Sequence, residues 1–214
     1  MTELSLADGF AALNRGDLAT AGDACKQALA KNQKHVTAHF LVGLVALEGK
    51  QRGVAHEAFK SVVRLDKDHA AAWAQIANLC IAEGRMDAAE LALREIRRIR
   101  PNDPTVIELT GSVLNKMGEF ETAEAFFHKA HQLLPENPSA IMNLANARVA
   151  LGKIDDAVPL FRRAIELEPR GAQCHWGLAN AVKASNTDHI AEMQALLDGD
   201  THSLRQKSFL HYAV

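Results

Sequence analysis

The chain has 214 residues, and hydrophobic types make up 48% of them, so it can bury a continuous core and is not a disordered protein. Its 24 Lys and Arg residues against 26 Asp and Glu residues leave a formal net charge of −2. Nucleic-acid binders usually carry an excess of basic charge, and we therefore predict that neither DNA nor RNA is a partner.

The N-terminal segment carries the acidic residues Glu3 and Asp8 and lacks the basic start and apolar stretch of a secretory signal. No apolar run approaches the roughly 18 residues that a membrane span requires. We therefore expect a cytoplasmic protein that has no membrane partner. Cys25, Cys80 and Cys174 are widely spaced within apolar helical patterns, which indicates reduced thiols packed in a core.

One line of the sequence occurs twice. GEFETAEAFFHKAHQLLP at 118–135 and GKIDDAVPLFRRAIELEP at 152–169 match at Gly, Ala, Phe, Ala, Leu and Pro, and their starts lie 152 − 118 = 34 residues apart. The same step recovers an alanine in every unit, at Ala21, Ala55, Ala89, Ala123, Ala157 and Ala191. A turn glycine recurs at Gly16, Gly84, Gly118 and Gly152, with Lys50 and Asn186 as the departures.

Each unit is predicted to hold two helices joined by this turn, because the apolar spacing is helical and strand-like alternation is missing. A small residue seven positions before the turn marks a close approach of facing helices, at Gly9, Gly43, Ala77, Gly111, Ala145 and Ala179. A larger residue follows the alanine by four, at Cys25, Phe59, Leu93, Phe127 and Phe161. Pro101, Pro135 and Pro169 end three units, whereas Pro159 lies inside a helix that we expect it to bend without ending.

The predicted units are 2–35, 36–69, 70–103, 104–137 and 138–171, followed by a degenerate sixth unit at 172–198 and a helical tail at 199–214.

A 34-residue helix-turn-helix repeat with these landmarks resembles the tetratricopeptide-repeat (TPR) family, and Trp73-x2-Ile76-Ala77-x2-Cys80 is a softened copy of its W-x2-L-G-x2-Y motif. The resemblance implies an all-α fold, a right-handed superhelical solenoid in which each helix pair packs on its neighbours. It also implies a concave wall of first helices that holds a protein or peptide. We therefore expect a non-catalytic interaction scaffold.

The residue after each small position is the family's inward-facing column, and its character changes along the chain. Apolar side chains occupy the N-terminal part of the wall, including Leu6, Phe40 and Leu41, and amides dominate the C-terminal part. Asparagine is a poor helix former, but its amide can donate and accept hydrogen bonds to the backbone of an extended peptide. The predicted binding residues are Phe10, Leu44, Gln75, Asn78, Ser112, Asn143, Asn146 and Asn180.

Asn143-Leu144-Ala145-Asn146 resembles the asparagine ladder in the repeats of protein O-GlcNAc transferases. The alternative is that these amides bond to neighbouring helices or to water. The N-terminal apolar patch has two alternatives of its own, burial within the first two units and a homodimer contact, and the C-terminal tail is a second candidate for a homodimer contact. The lysine and arginine clamp of chaperone adaptors is absent, because its positions carry Leu6, Phe40, Ala74, Glu108 and Met142.

The sequence contains no phosphate-binding glycine loop, and we predict no catalytic residue, no cofactor and no metal. His35 with His39, and His128 with His131, have spacings that fit a shared metal ion, but no further ligand completes either pair. We interpret them as partly exposed helix residues. The basic run Arg94, Arg97, Arg98 and Arg100 is interpreted as the solvated face of a second helix.

The tail, from TDHIAEMQALL to FLHYAV, breaks the repeat. It is expected either to be a helix that is cut at Val214 or to fold back as a cap over the sixth unit. It resembles the segment that joins TPR repeats to a sulfotransferase domain in some bacterial proteins. The alternative function is therefore the N-terminal recognition module of a larger transferase whose catalytic domain lies outside this chain.

Overall fold

A computed structural model describes residues 4–182 and residue 194, and within residues 4–182 the chain is helical with no β-strand. The helices are α1 (Leu6–Asn14), α2 (Leu18–Lys31), α3 (Val36–Glu48), α4 (Arg52–Leu65), α5 (Ala70–Ala82), α6 (Met86–Ile99), α7 (Pro104–Lys116), α8 (Phe120–Leu133), α9 (Pro138–Ala150), α10 (Ile154–Leu167) and α11 (Ala172–Ala181). This confirms the all-α fold. The second helix of the predicted sixth unit and the sulfotransferase-like tail lie outside the described residues.

The chain divides into two compact units on either side of the peptide bond between Asn102 and Asp103. The first unit contains α1 to α6, and the second contains α7 to α11. Within each unit, antiparallel pairs of first and second helices follow one another, and each second helix also packs on the next first helix. Every first helix in a unit therefore buries one face against second helices.

Local signals set the helix ends. Ser5 begins α1 with a reciprocal cap, in which its hydroxyl accepts from the Asp8 amide at 3.1 Å and its own amide donates to the Asp8 carboxylate at 2.9 Å. Asp103 and Asn137 cap α7 and α9 with their side chains. In both cases a proline follows at the first helical position, where its missing N–H costs no hydrogen bond.

The turns inside the pairs need a residue in the left-handed region. The predicted turn glycines Gly16, Gly84, Gly118 and Gly152 have φ values of 79°, 73°, 81° and 73°. Lys50, the departure from the glycine column, takes the same conformation with φ of 58°, so the turn is kept although its residue type changes. Pro159 lies inside α10, which continues to Leu167 as expected.

Three of the described helix pairs place a small residue against a large ring, whereas Gly9 of α1 meets Leu41 of α3 and Ala24 instead of the predicted Cys25. Gly43 faces the ring of Phe59, and Gly111 faces the ring of Phe127. In the pair α9 and α10, Ala145 and Phe161 share one core cluster and are both fully buried. The Phe161 ring also meets Gly177 of α11. The helix that Ala179 is expected to face lies outside the described part of the chain.

The three cysteines are reduced and buried, as predicted. Burial raises the pKa of Cys25 to about 11, and it raises that of Cys174 to about 11 as well. The pKa of Cys80 is raised for the same reason. Since the thiolate is the reactive form, these thiols are protected twice, by packing and by protonation.

Replacing Gly43 by alanine is expected to destabilise the chain by about 1–3 kcal/mol, the usual cost of overpacking a core. The new Cβ would lie less than 3.0 Å from three atoms of the buried Phe59 ring. The matched control is Gly22→Ala, because Gly22 lies inside α2 with open space around it. The control is expected to stabilise the helix by up to about 1 kcal/mol. Urea unfolding measures both, and equal midpoints for the two variants would contradict the packing argument.

The native chain is expected to resist 5,5′-dithiobis(2-nitrobenzoate) at pH 8 and to release three equivalents of thionitrobenzoate once guanidinium unfolds it. The absorbance of thionitrobenzoate follows the reaction. A thiol that reacts before unfolding as fast as free cysteine would show that one of the three sites is open.

Candidate peptide-binding wall of the second unit

The three first helices of the second unit present one continuous face. α9 contacts both α7 and α11, and α8 and α10 pack against their other side. In α7 the buried residues include Ile107, Gly111 and Leu114, which face the second helices. The opposite face repeats every 34 residues, and we call it the wall. It consists of Thr105, Glu108 and Ser112 on α7, Ser139, Met142 and Asn146 on α9, and Gln173, Trp176 and Asn180 on α11.

The structure divides the predicted binding residues between the two units. Phe10, Leu44, Gln75 and Asn78 lie on first helices of the first unit, and all four are partly buried. Ser112, Asn143, Asn146 and Asn180 lie on neighbouring first helices of the second unit. The second set is therefore brought together.

Asn146 and Asn180 are the most accessible amides of the predicted set. Both side chains are exposed, and they occupy equivalent positions on α9 and α11, which are in contact. Neither has a hydrogen-bond partner among residues 4–182. Their donors and acceptors are therefore open to a ligand along the wall.

Ser112 and Asn143 are already engaged around Glu108. The Ser112 hydroxyl donates to the backbone carbonyl of Glu108 at 3.0 Å. The Asn143 side chain forms a hydrogen bond with the Glu108 carboxylate, which links α9 to α7. Both residues therefore support the wall from within.

Glu108 is the unexpected feature of this surface. Its Oε1 atom is buried and has no hydrogen-bond partner in the part of the chain that the structure describes. Burial raises the pKa of the carboxyl, and the hydrogen bond from Asn143 offsets only part of that rise. In the sequence, Glu108 indicated only that a basic clamp is absent. The available signal was a single acidic residue among nine wall positions that are otherwise uncharged.

The apolar patch of the first unit is partly used in its own packing. Leu41 is fully buried and one of its methyl groups lies against Gly9. The Phe40 ring packs on Phe59 and His69, with centroid distances of 5.6 and 4.8 Å. These contacts favour burial within the first unit over a homodimer contact for these two side chains.

Among the other candidates, His39 and Arg98 have structural partners. His39 Nε2 lies 2.8 Å from the Gln33 carbonyl oxygen. Among the described residues, no three His, Cys, Asp or Glu side chains are arranged to hold a metal ion. Arg98 pairs with Asp68 at 2.6 Å and with Glu95 at 2.8 Å, as expected of a solvated helix face. In the part of the chain that the structure describes, no helix is long and apolar enough to cross a membrane.

Glu108→Gln is expected to gain stability relative to the original chain as the pH rises. A carboxyl with a raised folded-state pKa binds its proton more tightly in the folded state. Its contribution is therefore present below the ordinary pKa of glutamate and is lost as the pH rises through the folded-state pKa. Urea unfolding of both proteins at pH 4 and pH 7 tests this. A stability difference that is the same at both pH values would show that Glu108 ionises without a burial cost.

A family model described as the Cilia and flagella-associated protein 70 C-terminal domain, a TPR domain, matches residues 3–181. No curated protein matches the sequence. Many solved structures match the fold. PilF of Pseudomonas aeruginosa shares 19% identity over 95% of this chain and 94% of its own, with a TM-score of 0.74.

Two further solved structures are similar. YrrB, described as a TPR protein with an unusual peptide-binding site, shares 16% identity over 89% of this chain and 97% of its own, with a TM-score of 0.64. A thermophilic TPR protein of Thermus thermophilus shares 21% identity over 82% of this chain and 96% of its own, with a TM-score of 0.67. Identities this low establish the fold alone, but the family model covers most of the chain. The chain therefore belongs to the tetratricopeptide-repeat family.

Proposed function

We propose that this chain is a protein-interaction scaffold whose second unit binds an extended peptide segment along the wall. The observation that carries the proposal is a pair of exposed amides, Asn146 and Asn180, at equivalent positions of adjacent helices, neither of which has a hydrogen-bond partner within residues 4–182. Stacked helical repeats create extended binding surfaces of this kind.

The spacing of the two amides suits a peptide that runs across the helices. Neighbouring packed helices lie about 8–10 Å apart, and an extended chain advances about 3.3 Å per residue. Asn146 and Asn180 would therefore meet backbone groups about three residues apart. Because each amide offers both a donor and an acceptor, it can pair with a backbone N–H and a C=O without reading the side chains between them.

Two observations support a peptide as the partner. The wall bears short polar side chains beside Met142 and Trp176, which gives an approaching chain both hydrogen-bonding and apolar contacts. YrrB, which has the same fold, is described as having a peptide-binding site. In the first unit, Phe10, Leu44, Gln75 and Asn78 are the proposed contact residues for a further segment of a partner.

The double variant Asn146→Ala/Asn180→Ala is expected to weaken peptide binding at least tenfold. The probes are peptides that the original chain selects from a random library of N-acetylated dodecapeptides. Alanine is a better helix former than asparagine, so the far-UV circular dichroism signal should not fall. Fluorescence anisotropy gives the Kd of each peptide.

The matched control is Gln132→Ala, which removes an exposed amide from α8 on the other side of the second unit. This control is expected to bind like the original chain. The proposal fails if the double variant keeps full affinity, and it also fails if the original chain selects no peptide.

A further inference from the structure

We infer that the wall of the second unit reads one side chain of its partner, a lysine or arginine whose cation pairs with Glu108. This inference rests on the proposed function and adds a chemical requirement to it. The asparagines would hold the peptide backbone, and Glu108 would decide which residue lies at one position.

Within residues 4–182, Glu108 lacks the cation that a comparable carboxylate has. Glu124 of α8 is also partly buried, and it pairs with Arg148 at 3.3 Å and with Lys153 at 3.7 Å. Glu108 has no ion-pair partner among residues 4–182, and its Oε1 atom is buried without a hydrogen bond. Two partly buried carboxylates of one unit therefore differ in one respect: within residues 4–182, Glu124 is neutralised by basic side chains and Glu108 is not.

The Glu108 carboxylate is oriented by a side chain of the neighbouring first helix. Asn143 bonds to it from α9. The Ser112 hydroxyl bonds to the backbone carbonyl of Glu108 and leaves the carboxylate itself free of that contact. The Oε1 atom of Glu108 has no hydrogen-bond partner among residues 4–182. A group fixed in this way binds a cation with little loss of conformational entropy.

The surface around the Glu108 carboxylate also suits a lysine or arginine side chain. Met142 and Trp176 occupy the equivalent positions on the next two first helices, and Trp176 is 36% exposed. Lysine and arginine carry long apolar stems below their charged heads. Such a stem can lie on Met142, and a guanidinium or ammonium group is also attracted to an indole face.

The charges of the wall positions also favour a cationic side chain of the partner. Apart from Glu108, the wall positions carry uncharged side chains, namely Thr105, Ser112, Ser139, Met142, Asn146, Gln173, Trp176 and Asn180. A cationic side chain of the partner therefore meets one negative group and no competing positive one on this surface. An acidic side chain at the same place would be repelled.

The experiment uses the full chain and the N-acetylated dodecapeptide library, in which a free amino terminus cannot act as the cation. Selected peptides are expected to share a lysine or arginine at one position. Replacing that residue by glutamine should weaken binding to the original chain at least tenfold. The same replacement should change binding to Glu108→Gln by less than twofold.

Glu121→Gln is the matched control, since it removes the same charge from an exposed site on α8. It should respond to the peptide change as the original chain does. Glu108→Lys should select acidic residues at that position, and Glu108→Gln keeps the test valid if the reversed charge impairs folding.

The outcomes separate the two proposals. Selected peptides without a common basic residue, or an equal loss of affinity with Glu108→Gln, would overturn the inference and leave the peptide-binding function in place. A library from which nothing is selected would overturn both.

Discussion

The contact on which the rest of the structure depends is that between a residue with almost no side chain and a large ring. Gly43 and Gly111 let the rings of Phe59 and Phe127 lie directly on the helix backbone. This close approach sets how each first helix sits on its second helix, and so which of its residues are turned outward. Protein interiors are packed densely, so a single added methyl group is felt across the pair. The outward-facing residues of successive first helices line up because these packing contacts recur along the chain.

Most of the fold was predictable from the sequence, because the residues that determine it recur at a fixed spacing. The turn glycines, the small positions and the aromatic positions each do one physical task, and each task recurs every 34 residues. Lys50 shows the limit of residue type as a signal. Lys50 adopts the left-handed conformation of the glycine column, although lysine as a residue type does not predict that conformation. The contact of α9 with its neighbouring first helices also followed from the repeat.

The candidate site was predictable in part. The exposure of Asn146 and Asn180 follows from their register, which the period supplies. The roles of Asn143 and Ser112 do not, because both depend on where the Glu108 side chain lies. A sequence shows that a glutamate stands at 108, but it does not show that Asn143 reaches it from the next pair, or that one of its oxygens is buried alone. Such pairings depend on rotamers, and no period fixes them.

The same small-on-large contact also has a consequence for how the chain folds. In each pair its two residues are close in sequence, since 59 − 43, 127 − 111 and 161 − 145 all equal 16. A contact of such short range closes a small loop and costs little chain entropy before it forms. Domains built from local contacts fold fast, and a repeat array can nucleate at any pair and grow outward from it. Folding in this protein therefore does not depend on any one end of the chain being made first.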